Sequence, residues 1–270
     1  MLPLTSWPAA DRRNIVGVFT DIDDTLTTEG AITPDALQAL GQLKAAGLHV
    51  IPITGRPIGW SEPFARGDAA RGIAPWPVDA IVAENGAVGL QHGPEGLRKL
   101  YQQDPDTRRS NFTRMQNVLR LIERSVQGAM RSQDSTGRET DIAIDHSEFT
   151  QLPQATIDEV VRIMQAEGMT ATVSSIHING WFGEHSKLTG ARWIVRELWG
   201  RDLDAEIDRW VYVGDSTNDQ VMFERFVHSV GVANIRRFEA QLMHPPRVIT
   251  PSERGVGFAE MTRHLLAHRT

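Results

Sequence analysis

The sequence predicts an α/β protein, a doubly wound parallel-sheet core interrupted by an inserted α+β domain. Three observations carry this. Short apolar runs alternate with helical patterns at both ends of the chain, as strands buried on both faces of a parallel sheet do. The middle third instead contains strands that alternate with a period of two. Several apolar runs also end in acidic, hydroxyl or basic residues, where an open parallel sheet places its ligands.

The first strand is NIVGVFT, residues 14–20. The helix TPDALQALGQLKAAG follows at 33–47, with Thr33 as N-cap, Pro34 in the first turn, Gly47 closing the end, and Leu37, Leu40 and Leu43 sharing one face. HVIPIT (49–54) and VDAIVAENG (78–86) supply the second and third strands. The pattern resumes with a helix over 187–200, strands over 209–215 and 228–234, and a closing helix over 257–269. Between these halves lie a long amphipathic helix (104–127), an alternating strand at 140–146, a helix at 153–168 and a second alternating strand at 170–180. Alternation predicts a sheet with one face covered and one solvated. The domains expected are therefore a core of 1–90 and 183–270 and an insertion of 91–182.

Composition narrows the function. The chain has 270 residues, 40% hydrophobic and 23% charged, which suits an ordered globular protein. A net charge of −6 gives no electrostatic case for nucleic acid or an anionic membrane as partner. The absence of cysteine excludes disulfides, thiolate metal sites and a cysteine nucleophile. The opening residues MLPLTSWPAADRRN have neither a basic start nor a signal-like apolar stretch, and no run approaches the roughly 18 apolar residues of a membrane span, so a cytoplasmic setting is expected.

Residues 18–27, VFTDIDDTLT, bring Asp21, Asp23 and Asp24 together at the end of a buried strand. Carboxylates this close repel unless a cation shares the space. The plainer alternative is an acidic turn capping the next element. Three other places bear on the choice: Thr54-Gly55-Arg56 after the second strand, Lys187 opening a helix, and GDSTND at 214–219, with Asp215, Asn218 and Asp219. In this order and spacing the four motifs resemble those of the haloacid dehalogenase-like superfamily of phosphotransferases. Asp21-Ile22-Asp23-Asp24-Thr25 matches its first motif, Thr54 its second, Lys187 its third and Gly214 through Asp219 its fourth. The insertion between the second and third motifs, with ENGA at 84–87, looks like the large α/β cap of the Cof-type and sucrose-phosphatase-like branch. Asp24 departs from it, since Cof-type members usually carry glycine there, and GDS at 214–216 looks more like the sucrose-phosphatase side.

The resemblance implies a Rossmann-like core, a magnesium ion (Mg2+) as cofactor, and a phosphatase acting on a small phosphorylated metabolite, a sugar phosphate above all. A phosphomutase of the same superfamily is the enzymatic alternative, and a phosphoacceptor signalling or binding protein the non-enzymatic one. It implies that Asp21 is the nucleophile and Asp23 the acid and base. Asp21, Asp23 through its backbone carbonyl, and Asp215 would hold the metal, with Asp219 supporting it. Thr54, Gly55 and Lys187 would bind the phosphoryl group, while Asn218 would contact it or orient Lys187. Arg56 and Asn85 either touch substrate or are an ordinary surface arginine and a turn residue. Asp24 is expected to be a turn or cap acceptor. Within the cap, alternation sets Ile142, Ile144, Ile176 and Ile178 on packing faces, and Asp145, His177 and Asn179 on a polar face suited to sugar hydroxyls or simply to solvent. His177 and His185 are metal ligands on composition alone, without supporting spacing. Trp181 and Phe182 are placed at the cap–core junction as hinge packing, a substrate wall or a subunit contact.

Overall fold

A computed structural model describes residues 1–267, so residues 268 and 269 of the expected closing helix lie outside the described residues. Six parallel strands form the core sheet in the order Leu2–Pro3, Val248–Ile249, His228–Gly231, Trp210–Gly214, Gly17–Thr20, His49–Pro52. Thr20 is level with Val213 on one side and with Pro52 on the other. That register brings the loops at 21–24, 53–56 and 215–219 out at one edge, where a ligand can meet all three. Among the described residues no helix is long and apolar enough to cross a membrane.

The helix after the first strand runs Pro34–Ala45, with Thr33 Oγ1 accepting from the Ala36 amide at 3.2 Å and Gly47 at φ 76°. Its buried stripe is Ala36, Ala39, Leu40 and Leu43, packed against the helix Arg254–Leu266. Leu37 was expected on that face but is 38% exposed. The stripe follows the i, i+3, i+4, i+7 spacing that starts at the small Ala36, and Leu37 falls one position off it.

The third strand is short, Ile81–Ala83, and joins the core by a single parallel bridge between Ile53 and Val82. The chain then turns through Glu84 and Asn85, both left-handed at φ 49° and 56°, and returns as an antiparallel hairpin, Val88–Gly93 with Gly96–Tyr101. Position 91 therefore falls inside a strand. Val88 and Leu90 pack in the core cluster, with Leu97 and Tyr101 against it, whereas the apolar cluster of the insertion runs from Met115 to Phe182.

That insertion is an antiparallel sheet, Thr170–Val173, His177–Trp181, Ile142–Asp145, Met130–Arg131, packed with the helices Pro105–Ser125 and Gln154–Ala166. Residues 170–180 were expected to be one strand and are a hairpin. The turn carries no glycine, proline or asparagine to announce it; Ser174 closes it, Oγ accepting from the amides of Ile176 and His177. Ile142, Ile144 and Ile178 lie in the cap core as expected, but Ile176 sits in the turn, only partly buried. The expectation of a solvated opposite face also fails. Asp141, Ala143, Asp145, His177 and Asn179 are all buried, because the cap rests its polar face on the core loops.

Candidate active site

The chain leaves the strand Gly17–Thr20 with the Asp21 amide donating to Val213 O at 2.8 Å, which prolongs the sheet by one step. The turn closes on Ile22 O, which accepts from Leu26 N at 2.8 Å. Asp21 and Asp23 thus point from one tight loop, Asp21 toward the sheet edge and Asp23 toward the neighbouring loop of Arg56. Thr54 lies on that next strand end, fully buried, its Oγ1 accepting from the Arg56 amide at 3.0 Å. Gly55 is tightly enclosed: a Cβ there would stand 3.2 Å from both Asn179 Oδ1 and Asn85 Oδ1.

Lys187 supplies the cation. Ser186 caps its helix, Oγ accepting from Thr189 N while Thr189 Oγ1 accepts from Ser186 N, which fixes Lys187 in the first turn. Its Nζ donates to Asp21 Oδ1 at 2.6 Å and Asp219 Oδ1 at 2.7 Å, with the side chain only 2% exposed. Burial works against its charge, but Asp21 and Asp219 raise its pKa above the ordinary lysine value. Asp219 is fully engaged: it also accepts from Tyr212 Oη and from the amides of Asp215 and Ser216, so it holds the 214–216 turn as well as the lysine. Asn218 accepts from Ser216 Oγ at 2.7 Å, whereas the hydrogen bonds of Lys187 among the described residues go to Asp21, Asp219 and Tyr212.

Burial, followed by the Asp21 and Asp219 charges, pushes Asp215 well above the carboxylate range, and burial pushes Asp21 up to about 7 even with Lys187 beside it. Asp21, Asp215 and Asp219 bring carboxylate oxygens within 4.8 Å of one another. Asp215 Oδ2 accepts from Asn234 and Arg237, while buried Oδ1 has no hydrogen-bond partner. A hard oxygen-liganded cation fits this donor set: buried, unbalanced carboxylate charge with one orphaned oxygen. Asp219, its oxygens already taken, fits as a support more than as a ligand.

Asp24 is not a cap acceptor. Left-handed at φ 55°, it pairs with Arg237 at 2.9 Å and Arg254 at 3.0 Å. Arg56 is no surface arginine. It is 4% exposed, donates through Nε to both Asp23 oxygens at 2.9 and 3.0 Å, and also reaches the cap residues Glu148 (2.7 Å) and Asp134 (3.3 Å). Against the cost of burial, Asp23 and Glu148 raise its pKa further.

The cap's polar side chains are largely committed to this docking. His177 Nε2 meets Glu148 at 2.9 Å. Asn179 and Asn85 both donate to Asp141 Oδ2, at 3.0 and 3.1 Å, and Arg138 bridges Asp141 to Gly55 O. Asp145 accepts from the amides of Ser147, Glu148 and Phe149, shaping the loop that presents Glu148. Glu84 accepts from the amides of Ile58, Glu139 and Thr140, and burial, then Asp141, pushes its pKa up to about 7. Glu84, Asp134, Arg138, Asp141 and Glu148 were not picked out from sequence; charged residues around a cap strand look like solvated turns until the core is docked on them. What remains open is a cleft of about 540 Å³ between cap and core, lined by Asp23, Arg56, Glu148, Phe149, Ile176 and Arg254 among others.

At the junction, Trp181 is 1% exposed in the cap core, and Arg114 lies over Phe182 with 3.7 Å to its ring centroid, so both are packing residues. His185 stacks on Trp181 with both ring nitrogens buried and unpartnered, which gives it no metal-ligand neighbours. Burial lowers its pKa from 6.5 to about 4. A base depressed in the folded state leaves stability full above its unfolded value, and that stability is lost as pH falls through the window from 6.5 toward 4. By pH 5 the cost is about 2 kcal/mol. Denaturant unfolding at pH 7 and pH 5 should show this loss in the wild type and show it reduced in His185→Phe, which keeps the stacking. Equal losses in the two proteins would assign the acid sensitivity elsewhere.

Two aspartates, a threonine and a second acidic turn at strand ends, with a lysine from a helix start, thus meet at one edge of the sheet beneath the inserted domain. Residues 18–106 match the haloacid dehalogenase-like hydrolase family. Solved structures share the fold over nearly the whole chain. The Thermoplasma acidophilum 0175 protein is 16% identical, with a TM-score of 0.67, over 93% of this chain and 98% of its own. Sucrose-phosphatase from Synechocystis, in complex with sucrose and phosphate, is 17% identical with a TM-score of 0.65, over 94% and 98%. A haloacid dehalogenase-like hydrolase from B. subtilis is 17% identical with a TM-score of 0.64, over 93% and 100%. No curated protein sequence matches significantly. Over residues 18–106 the chain is thus similar to haloacid dehalogenase-like hydrolases, and nearly the whole chain shares the fold of such proteins.

Proposed function

We propose that this enzyme is a magnesium-dependent phosphatase of small phosphate monoesters, with a sugar phosphate as the substrate class. The observation that carries it is the buried Asp21 carboxylate, held by Lys187 at 2.6 Å with Asp23 two residues on and Thr54 on the adjacent strand end. Asp21 attacks phosphorus, the ester P–O bond breaks, and Asp23 gives its proton to the departing alkoxide. Asp23 then takes a proton from water as the water attacks the aspartyl-phosphate, which releases inorganic phosphate and restores Asp21. Lys187, the Thr54 hydroxyl and the Gly55 amide hold the phosphoryl oxygens and offset their charge. Arg56 orients Asp23 through its Nε hydrogen bonds and is itself held in place by Glu148 and Asp134. Asp21, the Asp23 backbone carbonyl and Asp215 would hold magnesium, which when bound offsets the carboxylate repulsion and polarises the phosphoryl oxygens.

The substrate contacts move outward from the expected face. His177 and Asn179 lie behind the cleft as supports, while Glu148, Ser175 and Phe149 line it. A carboxylate, a hydroxyl and an aromatic face together suit a sugar.

Phosphate release from a panel of monoesters, with magnesium and after chelation, tests the proposal. Activity on at least one small ester, lost on chelation and restored by magnesium, is expected. Stoichiometric transfer between two sugar positions without free phosphate would favour a mutase. A second measurement does not depend on turnover. Magnesium should raise the melting temperature of the wild type and leave Asp215→Asn unmoved, and the metal-free variant should melt higher than the wild type, because a buried like charge is gone. An equal magnesium shift in both proteins would place the ion elsewhere.

A further inference from the structure

Asp24 and Arg254 face each other at the cleft, and both are left-handed, at φ 55° and 53°, a conformation unfavourable to either side chain. Arg254 Nε lies 3.0 Å from Asp24 Oδ1 but is not aligned to donate to it, and is buried with no hydrogen-bond partner among the described residues. Arg237 reaches the other Asp24 oxygen and shares Asp215. Two guanidinium groups therefore converge on one small carboxylate, and they carry more N–H donors than it can accept. The third arginine of the cleft, Arg56, is already surrounded by Asp23, Glu148 and Asp134. The side chains of Arg237 and Arg254 are 41% and 31% exposed and line the same cleft as Asp23, the proposed acid. Loop pinning alone would need neither two arginines nor an unaligned buried donor.

We propose that Arg237 and Arg254 form a subsite for a second anionic group on the leaving group, a carboxylate or a further phosphate, with Asp24 occupying it in the empty site. The inference rests on the phosphatase reading and narrows its substrate class to phosphate monoesters that carry another anion. Arginine forks recognise both groups through paired charge-assisted hydrogen bonds.

Binding is measured apart from turnover, by calorimetry on the Asp21→Asn protein with magnesium. The probes are phosphoglycerate, glycerol phosphate, which carries a hydroxymethyl in place of the carboxylate, and a sugar bisphosphate beside its monophosphate. The anionic probe of at least one pair should bind about ten- to a hundredfold more tightly than its neutral partner, the range of one charge-assisted hydrogen bond. Whichever pair shows the preference names the anion. Adding Arg254→Gln should remove most of that preference, Arg254→Lys should keep part of it, and Asp24→Asn, which tolerates the left-handed backbone, should increase it. Equal binding within both pairs, a preference unmoved by Arg254→Gln, or a loss in Asp24→Asn as large as in Arg254→Gln would overturn the subsite. Absence of phosphate release by the wild type would count against the phosphatase proposal, and the binding ratios would still decide the subsite.

Discussion

Asp21→Asn should lose turnover by about a thousandfold or more while remaining folded. The amide has the size of the carboxylate but is a far poorer nucleophile toward phosphorus, so the covalent route is closed. Stability should hold or rise, since Asp21 shares a buried space with Asp215 and Asp219 and its ionisation is opposed by burial. Phosphate release under saturating substrate, beside a thermal melt, measures both halves. Turnover within tenfold of wild type in a folded variant would remove Asp21 from the nucleophile's role and leave water as the direct attacker.

Lys187→Met should be the most damaging single change to the fold within the site. The methionine fills the same channel, but Asp21 and Asp219 are left facing each other without the ammonium that bridges them at 2.6 and 2.7 Å. Removing one partner of a buried ion pair costs about 3–5 kcal/mol, most of it from the charges left behind. Asp21, without the lysine that lowers its pKa, would titrate higher than in the wild type, so the deficit should shrink as pH falls and it takes up a proton. Denaturant unfolding at about pH 8 and about pH 6 gives the two values. A deficit below about 1 kcal/mol at the higher pH would mean the pair is solvated, in the range of surface ion pairs. Activity should be lost at either pH, since the variant also lacks the charge that binds the phosphoryl group.

The legible parts of this protein share a property: their meaning is local. The run Gly17–Thr20 and the Thr33 cap are each written in a few consecutive residues, and each forms as its spacing predicts. The aspartates and Thr54 of the candidate site were legible because strand ends carry them, and a parallel sheet brings strand ends together whatever the loops do. The 170–180 hairpin was missed because a serine side chain closes its turn, and the cap boundary at 91 because the strand there still packs on the core.

What the sequence determined by itself is the placing of Asp21, Asp23, Thr54 and Asp215, which lie just past the ends of buried parallel strands and so come to the carboxyl edge of the sheet. Which polar residues line the open cleft was decided only by tertiary structure. Alternation assigns His177, Asn179 and Asp145 to a polar face, but it cannot say whether that face meets water, a ligand or another domain. The docked core consumes their hydrogen bonds and leaves the cleft to Glu148, Phe149, Arg237 and Arg254, residues whose neighbours there are distant in the chain. A periodic pattern specifies which side of its own strand a side chain occupies. What lies across from it depends on the rest of the fold.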